Sequence, residues 1–181
     1  IRNWETDGPR IRFPHELLTM DVDAVNRDVG SSDLFRLGGG PNPFERLQFL
    51  RGPEELYVEL ADPPPAMLRF LDRLHTFNCR VLERWAATDV DGLMIGDDWG
   101  AQHSLLIRPS LWREMFKPLY RDYVQIAHGA GKPLFMHSDG HITAIYPDLV
   151  EIGVDAVNSQ IQCMGPGNLA PFAGRITFWG E

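Results

Sequence analysis

"GLMIGDDWGAQ", residues 92–102, begins as an apolar run and closes on two adjacent acids, Asp97 and Asp98, ahead of a tryptophan and a glycine. The run is short and shows no polar alternation, which is the pattern of a strand covered on both faces. Successive side chains of an extended backbone point to opposite sides, so the two carboxylates meet different surroundings. A single acid here is explained by a helix cap or a backbone contact. Two adjacent acids call for two reasons.

Downstream, the same unit recurs. "PSLWREMFKPLYRDYVQIAHGAG" (109–131) carries Leu111, Met115, Phe116, Leu119, Tyr120, Tyr123 and Ala127 on one helical face, with a kink expected at Pro118 and a glycine stop. "KPLFMHSDG" (132–140) reads as a strand and "ITAIYPDLVEIG" (142–153) as a helix. "VDAVNSQ" (154–160) is a further strand, "PGNLAPFAG" (166–174) a short connection, and "RITFWGE" (175–181) a last strand. Upstream, "RLQFLRG" (46–52) reads as a strand and "ADPPPAMLRFLDRLHTFNCRVLERWAA" (61–87) as a helix behind a proline-rich first turn. Strands are thus expected near 47–51, 93–97, 133–137, 154–158 and 175–179. Residues 1–45 are loop-rich, with "GGGPNP" (38–43) as a loop, and 46–181 form the α/β unit. Alternating strands and helices with non-alternating apolar strands specify a parallel sheet covered on both faces.

In such folds the carboxyl ends of the strands gather at one rim, where the chemistry is placed. The expected strand ends are Arg51, then Asp97 and Asp98, then His137 and Asp139, then Asn158 and Gln160, and finally Glu181. His137 and Asp139 stand two apart, on one side of an extended segment, which suits two ligands of one metal ion or an acid/base pair. The plainer alternative is that Asp139 caps the next helix and His137 is a packed core histidine. "HGAGK" at 128–132 lacks the Ser or Thr of a phosphate loop and follows a helix instead of a strand. His15, His75, His103 and His141 show no partner in sequence and are assigned to packing, as is the aromatic stripe of the Trp112 helix.

The charge of the chain narrows its partners. Seventeen Lys and Arg stand against 25 Asp and Glu, for a net charge of -8, with no basic stripe. Nucleic acid and anionic membranes are therefore not expected partners. Only two cysteines are present, Cys79 and Cys163, and neither a signal segment nor a membrane-length apolar run is visible, so a cytoplasmic location is expected.

"IGDDWGAQHSLLIRPSLWREMFKPLY", "AHGAGKPLFMHSDGHI", "PDLVEIGVDAVN" and "RITFWGE", in this order from about Phe44 to Glu181, resemble the uroporphyrinogen decarboxylase superfamily. That superfamily holds porphyrinogen decarboxylases and corrinoid-linked methyltransferases. The resemblance implies a TIM-type (β/α)8 barrel, about twice this length when complete, of which this sequence covers a part. A barrel cut open exposes strand edges, so an oligomer or a compact fragment of limited stability is expected if the chain ends at Glu181.

In the methyltransferase branch, the resemblance implies a zinc ion held by a His-x-Cys pair on the strand matching "FMHSDG" and by a later cysteine. His137 matches the histidine, and Asp139 stands in the cysteine position. A carboxylate carries the thiolate's charge and ligates zinc or a harder divalent ion. Glu181, Asp97 or Asp98 is the further ligand expected. In the decarboxylase branch there is no cofactor, and Asp97 falls near a substrate-contacting position.

The expected rim sets Asp97, Asp98, Asp139 and Glu181 against Arg51 and Arg108, a balance that repels a polyanion and suits a metal ion. This favours metal-assisted methyl transfer linked to a corrinoid, with a corrinoid protein as partner. Asp97, Asp98 and His137 are the expected catalytic groups, and Asn158, Gln160 and Arg51 the expected contacts to a small-molecule substrate. The alternatives are cofactor-free decarboxylation of uroporphyrinogen and a ligand-binding barrel without chemistry.

Overall fold

The apolar runs form one parallel sheet, and the polar residues that close them share one edge of it. A computed structural model describes residues 1–180. In chain order the elements are α1 (Trp4–Asp7), α2 (Val22–Gly30), β1 (Leu37–Gly39), α3 (Pro43–Arg51), α4 (Pro53–Glu59), α5 (Pro65–Ala86), β2 (Gly92–Gly96), α6 (Pro109–Met115), α7 (Lys117–Gly129), β3 (Leu134–Ser138), α8 (Tyr146–Ile152), β4 (Ala156–Ser159), α9 (Ile161–Met164), α10 (Pro166–Leu169) and β5 (Thr177–Gly180). The five strands lie in sequence order, each parallel to the next. This is the strand–helix repeat of a TIM-type barrel, and the strands after β1 fall within two residues of the expected spans.

The pleat sorts the strand residues onto two faces. On β2, Leu93, Ile95 and Asp97 are buried beneath the helices, and the apolar side chains of this face join the main core. Met94, Gly96 and Asp98 face the other way and are only half-buried. The same parity holds on β3, where Leu134, Met136 and Ser138 are buried whereas Phe135, His137 and Asp139 are half-buried. One face is therefore a core. The other is a partly open inner wall that turns polar toward its carboxyl end.

Two expectations near the start of the sheet are corrected. Residues 47–51 are not a strand: they belong to α3, which starts at Pro43 and stops before Gly52, held at φ 91°. Asn42 precedes α3 without capping it through its side chain. The cap comes instead from across the sheet, where the Asp97 carboxylate accepts the amides of Phe44 at 3.0 Å and Glu45 at 2.8 Å. A local reading of "RLQFLRG" cannot see that acceptor, because it lies 53 residues away.

The first strand is instead Leu37–Gly39, inside the stretch expected to be a loop. Its glycines provide close approach. A Cβ on Gly38 would lie 2.3 Å from the Trp85 ring, and one on Gly39 would lie 2.3 Å from the Met94 carbonyl oxygen. Only glycine lets the strand sit this close to α5 on one side and β2 on the other.

The helices follow their apolar spacing. Along α5, Met67, Phe70, Leu71, Leu74, Phe77, Val81 and Leu82 are buried, and the helix packs on α7 and β1. Each such side chain contributes roughly 1.5–3 kcal/mol on burial. The kink expected at Pro118 is a break at Phe116 between α6 and α7. Behind it, Lys117 pairs with Asp148 at 2.7 Å and Glu151 at 2.8 Å, and Arg113 also binds Asp148, which ties these helices to α8. No helix among the described residues is long and apolar enough to cross a membrane.

Candidate functional site

The two acids of β2 have the two reasons that their parity requires. Asp97 is fully buried on the helix side of the sheet. Besides the α3 amides, its carboxylate accepts the Tyr120 hydroxyl at 2.6 Å, and that hydroxyl accepts the Trp99 indole N–H at 2.9 Å. Trp99 stacks on Phe44 with ring centroids 4.1 Å apart. Burial pushes the Asp97 carboxyl up to about 8, and the Glu45 amide, the Tyr120 hydroxyl and the Phe44 amide keep it from rising further. Asp97 was expected to serve the rim. The structure corrects this, enclosing it in the core as a tertiary helix cap.

Asp98 faces the inner wall. There Asp98, His137 and Asp139 each offer a ligand atom, all within 4.8 Å of one another. His137 Nε2 lies 3.5 Å from Asp98 Oδ1 and 4.0 Å from Asp139 Oδ1. Asp98 Oδ1 also accepts the Asp139 amide at 2.9 Å, which fixes one acid against the backbone of the other. Asp139 Oδ1 is buried without a hydrogen-bond partner.

The loops that carry these groups are joined backbone to backbone. Asp97 N–H donates to the His137 carbonyl, Gly100 N–H to the Asp139 carbonyl and His141 N–H to the Ala101 carbonyl, at 3.1, 3.1 and 2.8 Å. The Ser138 hydroxyl accepts the Trp99 amide at 3.0 Å. Where the loops meet, a Cβ on Gly140 would lie 2.3 Å from Gly100 backbone atoms, and Gly140 sits at φ 76°. Both features require glycine there.

The remaining expected residues divide. Asn158 is buried beside His137, and its Oδ1 accepts from His137 Nδ1 at 2.6 Å while its Nδ2 donates to the Trp179 carbonyl at 3.2 Å. Each end of the amide makes one bond within the protein, so in this structure Asn158 contacts His137 and the β5 main chain. Gln160 Oε1 accepts the Gly140 amide at 3.2 Å, which leaves its Nε2 to donate. Arg51 does not lie at a strand end. It closes α3, and its guanidinium binds the Glu59 carboxylate through Nε and Nη2 at 2.8–3.1 Å. This pairing keeps it from serving as an anion anchor at the rim. Glu181 lies outside the described residues.

Glu45 was missed by the sequence reading. It sits in the first turn of α3, half-buried, and burial followed by the Asp98 charge pushes its carboxyl up, with Asn42 and His137 acting in the opposite direction. The only local signal was an acid three residues after Asn42, which the strand assignment of 46–52 concealed.

Comparison with known proteins agrees with this architecture. The uroporphyrinogen decarboxylase (URO-D) family model matches residues 38–162, more than half of the chain, and the chain belongs to that family. Among solved structures, a methyltransferase from Methanosarcina mazei superposes with a TM-score of 0.69 at 14% identity. The match covers 87% of this chain and 46% of that one, so this chain spans about half the length of that methyltransferase. No curated protein matches.

Proposed function

We propose that the chain forms the metal-binding half of a URO-D superfamily enzyme that transfers a methyl group between a corrinoid and a small acceptor. The observation that supports this most is the convergence of Asp98, His137 and Asp139 at the carboxyl end of the sheet, with one buried carboxylate oxygen lacking a hydrogen-bond partner. Ligands about 2.1 Å from a tetrahedral ion lie about 3.4 Å apart, so the observed 3.5 and 4.0 Å separations fit after small adjustments. Nitrogen and carboxylate donors accept zinc or another divalent ion.

A divalent ion at this place supplies positive charge, favouring the anionic form of an acceptor thiol or stabilising charge that develops on a donor oxygen. The chain's own residues do the rest. The joined rim loops hold the three ligands in place, Asn158 holds the His137 ring, and the Gln160 amide donates to a polar substrate group. Glu45 stands at the first turn of α3 as a proton donor or acceptor. Glu181 stays a proposed additional ligand. A corrinoid protein is the partner that this reading requires.

Fully burying Asp97 weakens the decarboxylase alternative, in which that carboxylate gathers pyrrole N–H groups. The test is elemental analysis of the protein and of a His137→Ala variant. Activity is then assayed with methylated corrinoid plus a thiol or folate acceptor, and separately with uroporphyrinogen, with and without chelator. Chelator-sensitive methyl transfer that is lost with His137→Ala is expected. Equal metal content in both proteins, or porphyrinogen turnover indifferent to chelator, removes the proposal.

A further inference from the structure

His137, Asn158 and Trp179 occupy matched positions on three adjacent strands: His137 pairs in register with Asn158, and Asn158 with Trp179. Next to them on β2 stands Gly96, the register partner of His137, where a Cβ would lie 3.6 Å from the His137 Cβ. In-register residues on parallel strands share a face, so the imidazole and the carboxamide lie side by side on the inner wall.

The chemistry of this row determines the positions of its hydrogens. The Trp179 carbonyl can only accept, so the end of the Asn158 amide that faces it at 3.2 Å must be the NH2 group. The other end is then the carbonyl oxygen, which can only accept, and it meets His137 Nδ1 at 2.6 Å. Nδ1 must therefore carry a proton. In a neutral imidazole the lone pair then belongs to Nε2, the nitrogen turned toward Asp98 and Asp139.

We infer that Asn158 is a positioning residue that fixes the His137 tautomer with its proton on Nδ1 and so leaves the Nε2 lone pair facing the space that Asp98 and Asp139 border. The role rests on the proposed function only for what Nε2 meets there, an ion in that reading. The main chain of β5 sets the orientation of Asn158, and Asn158 sets that of His137. Outer partners that orient a ligating histidine typically contribute about 10- to 100-fold to metal affinity.

Two variants separate this role from mere support of the sheet. Asn158→Ala removes both hydrogen bonds. Asn158→Asp keeps the acceptor toward Nδ1 and loses the donor toward Trp179. The tautomer is read from the imidazole 15N shifts of the metal-free protein at a pH where His137 is neutral, and affinity from titration with zinc alone. The wild type and Asn158→Asp are expected to hold the proton on Nδ1. Asn158→Ala is expected to move it to Nε2, the form favoured by unrestrained histidine in water, and to bind zinc about 10- to 100-fold more weakly.

If Asn158→Asp loses the Nδ1–H form together with Asn158→Ala, the residue only clips β4 to β5 and the inference fails. It also fails if neither variant moves the proton. A wild type that holds Nδ1–H, with the tautomers of both variants as stated, but binds no zinc supports the positioning role and removes the metal reading, so the two failures are distinct.

Discussion

Asp97 and Asp98 are neighbours in sequence, yet each belongs to a different part of the molecule. The face that holds Asp97 is closed to the surface: its carboxylate is surrounded by two amides and the Tyr120 hydroxyl, with the ring of Trp99 beyond, and it joins α3 to the sheet. The face that holds Asp98 is half-open, and its carboxylate meets an imidazole and a second acid. Identical side chains one residue apart thus act as structure on one face and as a candidate ligand on the other. The alternation of the strand decides which. Replacing each acid should therefore affect different measurements.

The largest difference expected is in stability. Asp97→Ala leaves the Phe44 and Glu45 amides and the Tyr120 hydroxyl without their acceptor, and should destabilise the fold by about 3–5 kcal/mol. Asp98→Ala, at a half-open position, should change stability by less than about 1 kcal/mol while lowering metal content. Urea unfolding of the two variants side by side checks this, and equal losses would erase the contrast between the faces.

Next is Gly140→Ala, which forces a Cβ into the Gly100 backbone at a positive φ. It should cost more than about 1 kcal/mol and lower metal content as well, since it separates the loops that carry Asp98 and Asp139. A variant of wild-type stability and metal content would show that the loops do not depend on each other.

The pH dependence separates the faces in another way. The folded-state pKa of Asp97 is raised from 3.8 to about 8, so the folded protein holds a proton that the unfolded chain releases. The stability from this group is complete below the ordinary carboxylate range and is lost as pH rises toward about 8. Asp97→Asn should flatten that decline, whereas Asp98→Asn should leave it intact. Unfolding midpoints measured from mildly acidic to mildly alkaline pH decide it, and a slope shared by wild type and Asp97→Asn would assign it to another group. Last, Tyr120→Phe removes two hydrogen bonds, its donation to Asp97 and its acceptance of the Trp99 indole N–H, and should cost about 1–2 kcal/mol by the same unfolding assay, with metal content unchanged.

Much of this was legible in the sequence because it depends on local pattern. The strands from β2 onward and the long helix α5 follow from apolar runs and helical spacing. His137 and Asp139 were found because residues two apart on a strand share a face, and the same reasoning separated Asp97 from Asp98. It did not say which of the two faced the core, since that depends on which side the helices cover. Three features escaped because their causes lie far along the chain. The first strand was concealed by glycines whose purpose is contact with Trp85 and Met94. Helix α3 was concealed because its cap is Asp97, and misreading α3 misplaced Arg51 and hid Glu45. The contact of Asn158 with His137 depends on strand register, which no local pattern reveals.

The cap on α3 also has a consequence for the order of events in folding. A nine-residue helix is marginal on its own in water, and this one lacks a side-chain cap from the residue before it. Its acceptor, Asp97, is held in place by β2, whose neighbour β3 accepts the Asp97 amide through the His137 carbonyl. Segment 43–51 therefore waits for chain that emerges some 50 residues after it. In refolding followed by pulsed hydrogen exchange, the amides of Phe44 and Glu45 should gain protection only after those of β2 and β3.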